Sequence, residues 1–358
     1  MPMTDSNQTD HQPAASPDAR FVREARFFKP LANHKVRCQL CPHVCVLAPQ
    51  ELGHCGVRQN RAGILYTLVH SRVCAAHLDP IEKKPLFHFL PGTQALSIAT
   101  AGCNVNCKFC QNAELAHVKT GPIGGEYVPP ERIVQIALDA NTPSIAFTYT
   151  EPTIFAEFLI DTADAARDAG LRTVAISNGY IQPEPLRAVF APLDAVKIDL
   201  KAFTQSFYRD VVGASLQPIL NTLVTLRSLD KWVEIVYLLI PTLNDSEAEL
   251  RALAQWIHAN LGPDVPLHFT RFHPDHQMRH LPATPLETLE LARQIALAEG
   301  LHYVYIGNVP GHPAQNTWCP SCGKLLVERV GFAATGVLFT PTGACPACQL
   351  PIPGFWHG

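Results

Sequence analysis

The feature of this sequence that most constrains its fold is a repeated alternation, from about residue 94 onward, of short apolar runs with stretches of helical periodicity. Such alternation is typical of βα units and of a parallel sheet. One helix candidate spans 153–169, where apolar residues recur every three or four positions and Gly170 supplies the stop. Six strand candidates lie at 95–99, 144–148, 172–176, 195–199, 233–239 and 266–270, and a short seventh at 303–306 would close the series.

Six units of this length predict an α/β fold in which the strands form an incomplete TIM-like (βα)6 barrel, with a doubly wound open sheet as the alternative. In both architectures ligands bind at the carboxyl ends of the strands, so polar residues just after a strand are candidates for a binding site. These candidates are Glu151 after the second strand, Ser177 and Asn178 after the third, Asp199 and Lys201 after the fourth, and His273 after the sixth.

The twelve cysteines fall into groups along the chain. The polar first twenty or so residues have no apolar core segment, so no export signal is expected. Since the reducing cytosol disfavours disulfides, grouped cysteines predict metal ligands in a cytoplasmic protein. Cys74 stands alone and is interpreted as a small buried residue. The groups are Cys38, Cys41, Cys45 and Cys55; Cys103, Cys107 and Cys110; and Cys319, Cys322, Cys345 and Cys348.

The middle group follows the first predicted strand. Its three cysteines, separated by three and then two residues, can ligate three irons of a [4Fe-4S] cube and leave the fourth iron open. The alternative is a zinc site or a set of structural thiols, but zinc sites are usually closed by a fourth Cys or His. The spacing therefore favours a reactive iron–sulfur cluster.

This stretch resembles the CxxxCxxC signature of the radical S-adenosylmethionine (SAM) superfamily, including the aromatic Phe109 before the last cysteine. The resemblance implies that SAM binds the open iron through its methionine amino and carboxylate groups. It also implies reductive cleavage of SAM to methionine and a 5'-deoxyadenosyl radical. A low-potential donor such as flavodoxin or ferredoxin would supply the electron.

Within that superfamily, residues 94–280 resemble the activating enzymes of glycyl-radical proteins such as pyruvate formate-lyase. The resemblance implies that Glu151 holds the SAM amino group, with Thr-Glu-Pro in place of the family's Gly-Gly-Glu turn. Ile176 departs from the pattern, because it stands where the family has an acidic ligand of a monovalent cation. Further SAM contacts are implied for Phe109, for Ser177 and Asn178 of a Thr-Asn-Gly-like turn, for Asp199 and Lys201 of an Asp-Leu-Lys match, and for His273.

Each of these residues also has a plain structural interpretation. Glu151 could cap the helix that begins near Thr153, and Asn178-Gly179 is a common turn signal. Asp199 and Lys201 could form an exposed strand end, and His273 could be an ordinary loop histidine. Their joint placement after successive strands favours SAM binding.

The two outer cysteine groups differ in pattern. The carboxyl-terminal group forms two CxxC pairs, which predict a structural zinc ribbon. The amino-terminal group reads C-x2-C-x3-C-x9-C and does not match ferredoxin spacing, so zinc is predicted there, with an auxiliary [4Fe-4S] cluster as the alternative. His43 or His54 could replace a cysteine at that site.

Three further segments together resemble the radical SAM family of the AmmeMemoRadiSam system: Cys-x-Leu-Cys-Pro-His-x-Cys at 38–45, Tyr-Ile-Gly-Asn-Val at 305–309 and Asn-Thr-Trp-Cys-Pro at 316–320. This resemblance runs from about Phe27 to the end and implies AMMECR1-type and Memo-type proteins as partners.

The predicted organisation is a disordered tail at 1–26, a Cys-rich module at 27–93, a radical SAM barrel at 94–310 and a zinc ribbon at 311–358.

Charge and hydropathy argue against other classes of protein. A net charge of -3 gives little support for binding a phosphate backbone, so nucleic acid is not expected as a partner. No apolar run is long enough to span a membrane. The resemblance to the radical SAM superfamily implies an enzyme that abstracts hydrogen from a protein or a small molecule. The competing class is a non-catalytic interaction protein in which all cysteine groups bind zinc.

Overall fold

The computed structural model describes residues 18–118 and 123–357. Between residue 18 and the first parallel strand the chain forms eight short strands, the last of which joins the central sheet: β1 (Arg23–Glu24), β2 (Phe28–Pro30), β3 (Val36–Cys38), β4 (Val46–Leu47), β5 (Arg58–Arg61), β6 (Ile64–Thr67), β7 (Arg72–Val73) and β8 (Ala75–Pro80). Strands β1, β6 and β5 form one small antiparallel sheet, and β2, β3 and β4 form another.

The centre of the fold is an eight-stranded sheet. Seven of its strands are parallel and follow one another in chain order from one edge to the other, and β8 pairs antiparallel with the first of them. The arrangement confirms the predicted α/β fold, including the short seventh strand. The later strands are β9 (Gln94–Ala99), β10 (Glu126–Tyr127), β11 (Ser144–Phe147), β12 (Arg172–Ser177), β13 (Ala195–Asp199), β14 (Trp232–Leu239), β15 (Leu267–Arg271) and β16 (Val304–Gly307), of which β10 pairs with β7 outside the central sheet.

Helices connect the parallel strands, as the sequence periodicity predicts. The helix predicted at 153–169 begins as a 3-10 turn at Pro152–Phe155 and continues as an α-helix until Gly170, whose φ of 77° ends it. Its buried face carries Phe158, Leu159 and Ala163. The helices are α1 (Ala113–Ala116), α2 (Pro130–Asp139), α3 (Ala156–Asp168), α4 (Pro183–Phe190), α5 (Gln205–Phe207), α6 (Leu216–Ser228), α7 (Glu247–Leu261) and α8 (Leu286–Ala298).

Part of the segment predicted to be disordered, 1–26, is structured. Residues 1–17 lie outside the described part of the chain, but 18–26 contain a 3-10 turn at Ala19–Phe21 and strand β1, so the prediction of disorder is wrong for those residues. These residues are ordered because the stretch, although polar, contains the aromatic side chain of Phe21. Phe21 is buried, with the Arg72 guanidinium 4.0 Å from its ring centre and Tyr127 at 5.9 Å.

The last part of the chain forms a three-stranded antiparallel sheet of β17 (Thr317–Trp318), β18 (Leu325–Val330) and β19 (Ala333–Val337). Arg329 of β18 is buried. In the sequence it is only one of few basic residues between the two CxxC pairs. Its guanidinium donates to Thr317 Oγ1 at 2.8 Å and to Phe87 O at 2.7 Å, and its Nε lies 3.6 Å from Glu82 Oε1. This arginine therefore fixes the small sheet to the segment that follows β8.

His88 joins the same segment to the carboxyl terminus, and it predicts a dependence of stability on pH. Its Nδ1 lies 2.7 Å from Pro353 O and its Nε2 lies 2.7 Å from Tyr305 Oη. Burial lowers the pKa of His88 to about 4, against about 6.5 in an unfolded chain. Between these values the unfolded chain binds a proton that the folded protein does not, so stability present above pH 6.5 is lost on acidification.

We expect the free energy of unfolding to fall by about 3 kcal/mol through this residue between pH 7 and pH 4. Urea denaturation across that range measures the effect. The non-titrating variant His88→Gln should lose less stability on acidification than the wild type. Equal pH slopes for the two proteins would contradict the assignment.

No helix in residues 18–118 and 123–357 combines the length and the hydropathy needed to cross a bilayer.

Candidate active site

A cavity of about 570 Å³ lies at the carboxyl ends of the parallel strands. Its volume falls within the range of small-molecule binding sites. All three cysteines of the middle group line it, together with five of the seven other residues predicted to contact SAM. Those five are Phe109, Glu151, Asn178, Asp199 and Lys201.

The loop that carries Cys103, Cys107 and Cys110 follows β9 and is held by its neighbours on several sides. Asn104 is buried and donates from Nδ2 to Tyr180 O at 2.7 Å. The backbone N–H of Asn106 donates to Val212 O at 2.8 Å, and that of Lys108 donates to Val211 O at 3.0 Å. The shape of the loop is therefore set by residues between the cysteines.

The three thiols of this loop are close enough to interact electrostatically in every pairing. Burial raises the pKa of Cys103 and Cys110 and raises that of Cys107 to about 11. A bound cation reverses this effect, because a metal ion stabilises the thiolate form of its ligands. Three thiols that share one cavity fit the ligand set of an iron–sulfur cluster with one open iron.

Glu151 connects the loops that follow β11 and β12. It is buried, and it accepts hydrogen bonds from Thr153 N at 2.9 Å, Ser177 Oγ at 2.7 Å and Asn178 N at 2.8 Å. Burial raises its pKa, although these hydrogen bonds oppose the effect. Glu151 therefore caps the 3-10 turn before α3, as its plain structural interpretation predicts, and it also lines the cavity.

Ser177 and Asn178 differ in their access to the cavity. Ser177 is buried behind Glu151 and does not line the cavity. Asn178 lines it, and its Nδ2 lies 3.8 Å from Cys103 Sγ and donates to Asn104 Oδ1 at 2.9 Å. Asn178 thus contacts the cysteine loop directly, whereas Ser177 acts on the site through Glu151.

A charged row at β13 supplies the polar groups on the next side of the cavity. Lys197 and Lys201 flank Asp199, with Lys197 Nζ bonded to Asp199 Oδ1 and Lys201 Nζ 3.7 Å from Oδ2. Burial alone would raise the pKa of Asp199, but the two lysine charges outweigh it and the pKa is lowered. Lys201 Nζ also lies 5.6 Å from the Phe109 ring centre. Asp199 is thus an ionised carboxylate, not an exposed strand end.

His273 does not reach this cavity. It is exposed, two residues beyond the end of β15, while its neighbour Phe272 is buried. Since consecutive side chains in an extended segment point to opposite sides, the burial of Phe272 turns His273 outward. Thr270 lines the cavity instead, so the position of His273 does not match the SAM contact that the resemblance implies.

Lys197 is a cavity residue that the sequence analysis missed. It lies inside the predicted strand, where a polar residue was not considered part of a strand-end site. The signal was present, because Lys197, Asp199 and Lys201 recur at every second position and so share one face of an extended strand.

Segments from both ends of the chain also line the cavity. Lys84, in the segment after β8, is buried and paired with Asp79 Oδ2 at 2.6 Å, and Asp79 accepts a hydrogen bond of 2.5 Å from Tyr149 Oη. Gly331 and Phe332, in the turn between β18 and β19, contribute from the other end. The cavity is therefore enclosed in part by residues outside the parallel strands.

The four carboxyl-terminal cysteines come together as predicted. The thiol sulfurs of Cys319, Cys322, Cys345 and Cys348 all lie within 4.8 Å of one another, so the group could hold a metal ion. Burial opposes ionisation of Cys345, but hydrogen bonds from the backbone of Cys348 and Ala347 and from neighbouring thiols lower its pKa to about 7. The quartet thus contains a thiolate-forming residue near neutral pH.

Comparison with known proteins gives three findings. Residues 97–254 match the family model described as the radical SAM superfamily. The uncharacterised protein MJ0808 of Methanocaldococcus jannaschii is 46% identical over 328 residues, covering 91% of this chain and 98% of its own. The pyruvate formate-lyase-activating enzyme of Clostridium pasteurianum is 24% identical over 162 residues, covering 44% of this chain.

The chain spans 66%, just under two thirds, of the length of that activating enzyme. Among solved structures, Streptococcus suis SuiB bound to S-adenosylmethionine aligns with a TM-score of 0.48 and 14% sequence identity. That alignment covers 64% of this chain and 53% of SuiB.

Proposed function

This chain belongs to the family of MJ0808 and contains a radical SAM domain at 97–254, and from that premise we propose that it cleaves SAM reductively at a [4Fe-4S] cluster held by Cys103, Cys107 and Cys110. The observation that carries the proposal is the gathering of these three thiols with an ionised aspartate, two lysines and a buried glutamate around one cavity. SAM offers an ammonium, a carboxylate and a ribose diol, and this set of side chains complements all three.

The chain's own residues have distinct roles in this proposal. When bound, the cluster supplies the electron that splits SAM into methionine and a 5'-deoxyadenosyl radical. Lys201 offers a cation to the carboxylate of SAM, and Asp199 offers a carboxylate to the ribose hydroxyls. Glu151 offers its negative charge to the SAM ammonium while it also orients Asn178 beside Cys103. Phe109 supplies apolar surface between the cluster loop and Lys201.

We propose that the radical abstracts hydrogen from a small molecule. The supporting observation is that the segment after β8 and the β18–β19 turn both line the cavity. These two segments restrict access to the cavity, and the restriction disfavours a folded protein as substrate. Activation of a glycyl-radical protein is the alternative, and the similarity to activating enzymes favours it. An accessible peptide loop would have to pass Lys84 and Phe332 to reach the cysteines.

Incubation of the anaerobically purified protein with SAM and dithionite tests the function. We expect 5'-deoxyadenosine and methionine in equal amounts. Iron and sulfide analysis of the same sample tests the competing class of protein. Three zinc ions per chain, with no iron, would contradict an enzyme of this kind.

We also propose that the carboxyl-terminal quartet binds zinc in a structural role. Four thiol sulfurs within 4.8 Å of one another suit a tetrahedral ion with Zn–S bonds of about 2.3 Å. Replacing Cys345 by serine should remove one zinc per chain, as measured by elemental analysis, and should lower the thermal unfolding temperature. The matched control Cys74→Ser should retain the zinc, since Cys74 belongs to no cysteine group. Unchanged zinc in Cys345→Ser would contradict the assignment.

The proposed electron donor is a flavodoxin or ferredoxin, because reductive SAM cleavage requires a low-potential electron. Membership of the AmmeMemoRadiSam system, with AMMECR1-type and Memo-type partners and a cytoplasmic location, remains part of the proposal. Co-purification followed by mass spectrometry would identify such partners, or a protein that carries a new modification.

A further inference from the structure

The four amino-terminal cysteines form a second thiol cluster beside the loop of Cys103. We propose that Cys38, Cys41, Cys45 and Cys55 ligate an auxiliary [4Fe-4S] cluster, in place of the zinc ion that their sequence pattern predicts. The inference rests on the proposed function in one respect, since it takes the cysteine triad at the cavity as a cluster site.

Two turns bring these four residues together. Cys38 ends β3 and its N–H donates to Cys45 O at 2.9 Å across the β3–β4 hairpin, with Cys41 in the intervening turn. Cys55 lies in a second turn, which is closed by a hydrogen bond of 2.9 Å from Gly56 N to Gly53 O. The thiols interact electrostatically in all six pairings, so they surround one common volume.

The spacing of the sulfurs distinguishes a cluster from a single metal ion. Around one zinc ion, Zn–S bonds of about 2.3 Å place neighbouring thiolates about 4 Å apart. In a [4Fe-4S] cube each thiolate binds a different iron, so the four sulfurs stand further apart. Within the described residues, the carboxyl-terminal quartet is the only group of three or more Cys, His, Asp or Glu side chains gathered closely enough for one ion.

The triad of Cys103, Cys107 and Cys110 serves as an internal standard for this comparison. Its thiols also interact with one another in every pairing, and they too are absent from the groups compact enough for a single ion. The amino-terminal quartet therefore resembles the triad, and differs from the carboxyl-terminal quartet, in that its thiols interact with one another but are not gathered closely enough for one ion.

The nearby histidines are engaged elsewhere. His43 Nε2 lies 2.7 Å from Asn104 O, and His54 Nε2 lies 3.2 Å from Asn106 Nδ2. Their rings stack with a centre-to-centre distance of 4.1 Å. Both imidazoles thus reach from the amino-terminal quartet to the residues between Cys103 and Cys107, which leaves the four thiols as the ligand set.

A buried cation faces the quartet. Arg58 is 1% exposed and interacts electrostatically with Cys38 and Cys55. Its Nη2 pairs with Glu157 Oε2 at 2.5 Å and its Nε donates to Ile154 O, but its buried Nη1 has no hydrogen-bond partner in the described part of the chain. A cluster with four thiolates is anionic and rich in sulfur acceptors, so it would supply an acceptor for the Nη1 that lacks one.

The quartet also lies against the catalytic loop. Gly102, which precedes Cys103, has a φ of 103°, and a β-carbon added there would lie 2.9 Å from Cys55 O. The backbones of the two cysteine loops are therefore in contact. A cluster with four protein ligands has no open iron for SAM, so its role at this position is to pass one electron from the flavodoxin- or ferredoxin-type donor to the cluster at the triad.

The decisive variant is Cys103→Ala/Cys107→Ala/Cys110→Ala, which removes the triad and leaves the quartet intact. After anaerobic reconstitution with iron, sulfide and zinc, we expect about eight irons in the wild type and about four in this variant. The variant should retain an equal amount of sulfide and give the electron paramagnetic resonance signal of a reduced [4Fe-4S] cluster after dithionite. A variant that holds no iron and two zinc ions per chain would overturn the proposal.

A second variant, Cys41→Ala/Cys45→Ala, should also hold about four irons, now at the triad. Cys74→Ala is the matched control and should keep about eight. The two hypotheses fail differently in these measurements. If only the proposed function is wrong, the triad-less variant still holds iron although the wild type forms no 5'-deoxyadenosine. If only the auxiliary cluster is wrong, the wild type cleaves SAM with about four irons.

Discussion

Replacing Cys107 by alanine should reduce 5'-deoxyadenosine formation from SAM and dithionite to the level seen without protein. Cys107 is buried and lines the cavity together with the other two thiols of its group. A [4Fe-4S] cube held by three cysteines already has one iron without a protein ligand. Removing Cys107 leaves only two protein ligands, which are too few to hold the cube stably. The measurement is chromatographic quantification of 5'-deoxyadenosine after anaerobic incubation.

Two controls separate loss of the cluster from loss of the fold. Cys74→Ala removes a thiol that belongs to no group and should leave the product yield unchanged. Circular dichroism of Cys107→Ala should match that of the wild type, because the loop is also held by the backbone bonds of Asn106 and Lys108. Retention of SAM cleavage in Cys107→Ala would rule out the three-cysteine cluster.

The second large effect is expected at Glu151. Replacement by alanine removes the acceptor for three buried donors, Thr153 N, Ser177 Oγ and Asn178 N. Buried donors without acceptors are costly, so we expect the free energy of unfolding to fall by about 3 kcal/mol. The variant should also bind SAM at least about tenfold more weakly, since a charge-assisted contact to the SAM ammonium is lost.

Glu151→Gln distinguishes the two roles of this residue. The amide keeps the size and one acceptor oxygen but has no charge, so stability should recover in part while SAM affinity stays low. Urea denaturation and equilibrium binding of SAM measure the two quantities separately. Glu131→Ala, which removes an exposed acid in the first turn of α2, is the control; it should leave SAM affinity unchanged and lower the free energy of unfolding by less than about 1 kcal/mol. Full recovery of SAM affinity in Glu151→Gln would show that the charge of Glu151 does not contribute to SAM binding and that its role is to cap the 3-10 turn.

The central sheet could be predicted from sequence because its signals are local. Each parallel strand is a short, nearly continuous apolar run, and each is followed by helical periodicity and a break such as Gly170. Once the strands are known, parallel pairing brings their carboxyl ends to one edge, and this placed Glu151, Asn178, Asp199 and Lys201 at the cavity.

The errors arise where long-range contacts decide the structure. Strand β8 has a mixed pattern of burial, because it lies antiparallel at the edge of the sheet and exposes its middle residues. The outward position of His273 depends on Phe272 finding a place in the core. Lys197 is different, because its partner Asp199 is only two residues away and the strand-end rule simply left the interior of the strand out. The contacts that decide β8 and His273 are not visible from neighbouring residues in the chain.

The residues between the triad cysteines limit how far this site can be transplanted. Asn104 is hydrogen-bonded to Tyr180 and Asn178 on the loop after β12. On the amino-terminal side, His43 and His54 contact the cysteine loop at Asn104 and Asn106. A designer who moved only the three cysteines and their spacing to another α/β sheet would move the ligands without the support that fixes their directions. A transferred cysteine loop would keep its shape only if the loop after β12 and the β3–β4 hairpin were transferred with it. These segments are far apart in the chain, so such a transfer would have to include most of the molecule.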